Sequence, residues 1–152
     1  MAVVDVSRAE VWAVKRDKHD KVMSDLIRCR ADWKCERCNC EYPPGRRGGL
    51  ECSHFYGRSK QSTRHYPDNL SSFCTGCHMH LGKVARDKYE MFIRMELGPD
   101  RFDALVQRAN TVYKITKAEK EERYQHYRAQ FKYMERRRKE GAIGWLDFVA
   151  WD

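Results

Sequence analysis

No stretch of this 152-residue chain approaches the ~18 consecutive apolar residues of a membrane span, and its mean hydropathy is −0.85. A membrane partner is therefore not expected. Nothing near the start couples a basic segment to a sustained apolar run, so no signal peptide is expected and a cytoplasmic location is. Internal repeats and low-complexity tracts are lacking too. Acidic residues are in deficit: 22 Asp and Glu face 30 Lys and Arg, a net charge of +8. That imbalance points to a polyanionic partner, with nucleic acid the first candidate.

What is present suffices for a core. Hydrophobic residues make up 41% of the chain and aromatics 12%, which argues against wholesale disorder. A chain of this length buries roughly two-thirds of its unfolded surface, so one domain, or a compact module with an arm, needs no disulfides. Seven cysteines, an odd number, make a disulfide framework the weaker reading and metal the stronger.

Three segments emerge. Residues 1–34 are helical in pattern, with Val22, Met23, Leu26, Ile27 and Cys29 at helical spacing over 8–33. Residues 35–113 open with a helix-breaking stretch, Pro43-Pro44-Gly45 and Gly48-Gly49, and offer short strands at Leu50–Phe55 and Leu70–Phe73. Helix returns from Cys77 to about Glu96. It stops at Gly98-Pro99 and resumes with Asp100 as N-cap, carrying Phe102, Leu105, Val106 and Ala109 on one face. Residues 114–152 hold a long helix opened by the capping box Thr116-x-x-Glu119, then an apolar tail with Trp145, Phe148 and Trp151.

Cys35-x-x-Cys38 and Cys74-x-x-Cys77 are two two-thiolate chelates, enough for a tetrahedral structural zinc. Cys40 could replace Cys38, although a two-residue gap chelates better. Cys29 reads as core and Cys52 as an inward strand residue. Between the pairs lies Cys52-Ser53-His54-Phe55, and the second pair ends the string Asn69-Leu70-x-x-x-Cys74-x-x-Cys77-His78.

That string, preceded by a strand-borne His54, resembles the HNH nuclease family over residues 33–83. The surrounding Thr63-Arg64, Pro67-Asp68-Asn69 and Arg108-Ala109-Asn110 look more narrowly like phage NinG/Rap-type recombination nucleases. The resemblance implies an α+β fold with a ββα-metal core, a four-Cys structural zinc site and flanking α-helices. It implies a DNA endonuclease with His54 as general base and with Asn69 and His78 at the catalytic ion, Mg²⁺ or Mn²⁺. It also implies phage DNA recombination, branched (Holliday-junction-like) DNA as a substrate, and the cytoplasm of a bacterial host. One departure stands out: many relatives carry Asp or His directly before the base, and this chain has Ser53. Water, substrate phosphate or Asp68 would then complete the ion's shell.

The residue types suit the chemistry. Phosphodiester hydrolysis needs a base for water and a cation for the developing charge, and histidine suits the base role near neutral pH. Arg58, Lys60 and Arg64 lie between His54 and Asn69, where they would meet phosphates. In the last helix Tyr124, Tyr127, Phe131 and Met134 form a narrow apolar stripe amid basic residues. It fits packing on its own domain, a homodimer seam, or the underside of a DNA-tracking arm. The rival functions are a non-catalytic zinc-stabilised DNA-binding module and a zinc domain that binds protein through its Trp tail.

Overall fold

The computed structural model describes residues 14–152. Among them the chain is α+β, with five α-helices and one two-stranded antiparallel sheet. In order these are α1 (Lys18–Arg30), β1 (Leu50–His54), α2 (Gln61–Arg64), β2 (Leu70–Cys74), α3 (Thr75–Met79), α4 (Arg86–Ala109) and α5 (Lys117–Lys139). A 3-10 turn, Pro67–Asn69, leads into β2, and a π-helical turn, His80–Val84, carries α3 on toward α4.

Helix α1 begins later than the apolar spacing suggests. Asp17 is extended and forms a capping box: its carboxylate accepts from the amides of His19 and Asp20, and the Asp20 carboxylate accepts from the Asp17 amide at 2.9 Å. The expected helical residues 8–13 lie outside the described residues. Asp32 and Trp33, at φ 57° and 58°, then swing the chain into the first cysteine pair.

Strands β1 and β2 pair from Leu50↔Cys74 to His54↔Leu70. Strand β2 runs straight into α3, which packs back against both strands. This fold-back brings a side chain of α3 over β1. Helix α4 bends at Gly98, whose φ of 75° suits glycine. Pro99 rather than Asp100 opens the second segment, because its fixed φ and missing N–H fit a first helical position.

One core joins all three segments: Leu26 and Ile27 of α1, Leu50 and Phe73 of the sheet, Tyr89 and Ile93 of α4, and Tyr127 and Met134 of α5 are all buried. The capping box at Thr116 forms as expected. The apolar stripe of α5 is spent within the chain. Tyr127 and Met134 are buried, Tyr124 and Phe131 pack partly on the core, and α5 lies along α1. The homodimer seam read from that stripe is therefore already covered. The tail docks back as well: the Leu146 amide donates to Arg30 O, Trp145 sits over the Arg30 guanidinium at 4.6 Å, and the Trp151 amide donates to the Tyr127 hydroxyl.

No described helix is long and apolar enough to cross a membrane.

Candidate metal centre and catalytic cleft

Five thiols converge where the loop after α1 meets the β2–α3 junction. Cys35, Cys38, Cys40 and Cys74 bring their sulfurs within 4.8 Å of one another. The fifth, Cys77, donates its amide to the Cys74 sulfur at 3.4 Å, and its own thiol, pushed up by burial and then by Cys74, lies beside the cluster. This cluster could hold a structural metal. Tetrahedral zinc with thiolates at ~2.3 Å sets them about 3.8 Å apart, and Cys38 and Cys74 are 3.8 Å apart. Cys38 and Cys40, at 3.3 Å, are closer than that edge.

The main chain prepares the site. The amides of Cys38, Cys74 and Arg37 address the Cys35 sulfur, although burial still pushes that thiol up. Asn39, at φ 61°, turns the chain so that the Cys40 amide reaches the Cys38 sulfur. That amide, then the Cys40 thiol, pull Cys38 down to about 6. Burial and the Cys38 contact push Cys40 up to about 11. Cys38 is thus ready as a thiolate ligand, while Cys40 also has the Tyr42 hydroxyl as a neighbour.

The expected catalytic residues occupy the other side of the sheet-to-helix corner. His54 ends β1, half-buried, with Nε2 3.1 Å from Arg64 O. A carbonyl only accepts, so Nε2 carries the hydrogen and Nδ1 keeps the free lone pair. Burial lowers the imidazole to about 4, so it is neutral at ordinary pH, with its lone pair open but a weaker base than an ordinary histidine. His78 stands on α3 with Nδ1 2.8 Å from the Glu51 Oε1 of β1. His54, His78 and Glu51 border two hollows at once, of about 630 and 540 Å³. The larger is ringed by Arg16, Lys21, Arg28, Arg47 and Arg58, and the smaller by Lys83 and Arg86. Asp25 orients two of these cations, Arg28 at 2.6 Å and Arg47 at 2.9 Å. Arg28 Nε is buried and has no partner among the described residues.

Asn69 is fully buried and committed to the main chain. Its Oδ1 accepts from Tyr56 N at 2.8 Å, and its Nδ2 donates to Tyr56 O and Thr63 O. Asn69 thus ties the loop after His54 to β2, and at 0% exposure it borders neither hollow, which keeps its oxygen away from an ion in the cleft. Arg64, expected to meet phosphate, instead turns inward. It is 7% exposed and grips Asp20 through Nε and a terminal nitrogen. Burial alone would raise the Asp20 carboxyl, but hydrogen bonds from His65 and Arg64 hold it well below the usual range. Asp17, Asp20 and His65 also cluster, but the guanidinium already supplies the cation there. Lys60 donates to Ala109 O at 2.9 Å, at the end of α4. Arg58 alone of the three faces the cleft.

Ser53 and Asp68 do not complete an ion site. Ser53 is 1% exposed and its hydroxyl meets that of Tyr89 at 2.6 Å. Asp68 pairs with Arg101 and lines a separate cavity beside Trp145. Cys52 lines the larger hollow, but burial lifts its thiol to about 11, which leaves it protonated. Sequence reading missed Glu51, Arg16, Lys21 and Arg28. Only the strand alternation, which puts Glu51 and Ser53 on one side, hinted at the first.

No family model, curated protein or solved structure matches this chain.

Proposed function

We propose that this protein is a divalent-metal-dependent DNA endonuclease of HNH type, hydrolysing phosphodiester bonds. The single observation that carries this reading is the placement of His54 and His78 on the rim of one cleft ringed by five cations, where an antiparallel strand pair runs into a helix at a thiol cluster. The strand–strand–helix order and the two cysteine pairs support a ββα-metal core stapled by zinc.

The division of labour follows from the geometry. His54 is held by the Arg64 carbonyl with Nδ1 free, and takes the proton of the attacking water there. Arg58 and Arg47 seat the phosphates on either side of the scissile bond, with the buried Arg28 behind them adding positive charge. Asn69 positions His54 by clamping the loop that follows it. His78 is a ligand of the catalytic ion. Mg²⁺ or Mn²⁺, when bound, supplies charge stabilisation at the phosphate and the leaving oxygen. In the family resemblance the setting is phage DNA recombination in a bacterial host, with branched DNA as the substrate class.

One observation favours a second reading. Ser53 borders the smaller hollow, but it is 1% exposed and its hydroxyl is taken up by Tyr89, so the acid that many HNH enzymes place before the base has no substitute at that position. A non-catalytic zinc-stabilised DNA-binding module would need none. Incubating supercoiled plasmid with the protein in Mg²⁺ or Mn²⁺ separates the two: nicking that depends on His54 supports the enzyme, and tight binding without nicking supports the module.

A further inference from the structure

We propose that Glu51 and His78 together form the divalent-cation site of the cleft, with Glu51 supplying the carboxylate missing at Ser53. The proposal rests on the nuclease reading above for its purpose, but not for its geometry. Mg²⁺ and Mn²⁺ are hard cations that favour oxygen ligands, so a lone imidazole is a poor site. The side-chain oxygens near His78 can be taken in turn. Ser53 is buried against Tyr89, Asn69 Oδ1 holds the Tyr56 amide, and Asp68 lies with Arg101 at another cavity. Asp20 borders the larger hollow, yet its two oxygens receive Arg64 and His65. Glu51 is the remaining carboxylate of both hollows.

The geometry of the pair fits an ion. Neighbouring ligand atoms of an octahedral Mg²⁺ at 2.0–2.1 Å lie about 3.0 Å apart. Glu51 Oε1 and His78 Nδ1 are 2.8 Å apart, so small side-chain rotations open the contact to a cation once the hydrogen that Nδ1 donates to the carboxylate has moved to Nε2, the other tautomer of the neutral ring. Both side chains are partly open, 41 and 35% exposed, which leaves room for the waters such ions retain. The contact is also built by the fold. Strand β1 presents Glu51 three residues before His54, and α3 folds back from β2 to place His78 over it. An ion held there sits on the rim that His54 shares, between the two basic hollows.

The test uses the full, zinc-loaded chain and Mn²⁺ as the probe. Free Mn²⁺ is followed by electron paramagnetic resonance, and the site by Mn²⁺ broadening of backbone amide resonances. Wild type should show broadening centred on Cys52, Ser53, Met79 and Gly82. Glu51→Gln keeps the shape and can still accept a hydrogen bond from His78, but loses the charge. It should weaken Mn²⁺ binding at least tenfold and abolish the local broadening, with zinc content unchanged. Glu51→Asp, which retains a carboxylate, should fall in between. Wild-type affinity and broadening in Glu51→Gln would overturn the proposal and reduce Glu51 to a group that orients His78. Mn²⁺ broadening centred elsewhere in wild type would overturn it too. Localised Mn²⁺ binding without DNA cleavage would leave this site standing and sink the nuclease reading. Cleavage in Glu51→Gln with wild-type metal dependence would do the reverse.

Discussion

Asn69 closes a two-point clamp on Tyr56, accepting from its amide at 2.8 Å and donating to its carbonyl at 2.9 Å. Replacing Asn69 by Ala strands both groups in a buried place, a loss of about 1–3 kcal/mol. The loop after His54 should loosen with it. Cleavage by Asn69→Ala should therefore fall and should not recover when Mn²⁺ is raised, because no ligand has been lost. Melting temperature and cleavage rate against Mn²⁺ concentration check this, and full recovery at high Mn²⁺ would return Asn69 to the ion.

The thiol cluster should hold about one zinc per chain. Cys35→Ser and Cys74→Ser should lose both metal and stability, since binding free energy at such sites is folding free energy. Cys77→Ser should release zinc more readily than Cys40→Ser. Cys77 belongs to a two-residue chelate, whereas Cys40 is 3.3 Å from Cys38 and has Tyr42 beside it. Elemental analysis of the four purified variants decides, and zinc lost from Cys40→Ser alone would invert the ligand set.

Arg58 and Arg64 should part company. Arg58→Ala should leave stability alone and lower the salt dependence of DNA affinity by about 0.9 in log–log slope, the share of one phosphate contact. Arg64→Ala removes one partner of a buried pair with Asp20, which typically costs about 3–5 kcal/mol. Denaturation curves and binding at several salt concentrations separate the two effects.

The burial that lowers His54 to about 4 has two consequences of known sign. The free base persists as pH falls through 6.5, so the acid limb of kcat/KM should lie near pH 4–5 rather than at the ordinary histidine value. Stability moves the other way. Below pH 6.5 the unfolded chain takes up a proton that folded His54 refuses, so this contribution shrinks as pH falls from 6.5 toward 4. His65, lowered mainly by burial, acts in the same direction. A pH–rate profile with an acid limb at 6.5 or above would place His54 outside the reacting group.

Much of this arrangement was legible locally. The two strands, the Thr116 cap, the inward tail and the cysteine pairs follow from spacing and turn chemistry within a few residues. What escaped depends on distance along the chain. Arg64 reads as a loop cation until Asp20, 44 residues earlier, is folded beneath it. Glu51 reads as an ordinary strand acid until α3 lays His78 against it, 27 residues later. Cys40 joins the thiols only because Asn39 adopts a left-handed turn. Asn69 has a plain turn signature, and its commitment to Tyr56 is a property of the closed loop.

The central claim is that His54 performs the proton transfer in DNA hydrolysis, and the most direct test is the cleavage rate of His54→Ala on supercoiled plasmid in Mg²⁺ or Mn²⁺. Wild type should nick the plasmid. His54→Ala should be slower by about 10²–10⁴-fold, the usual share of a general base, at any metal concentration and with zinc content and DNA affinity intact. A His54→Ala protein that cuts at the wild-type rate would contradict the account.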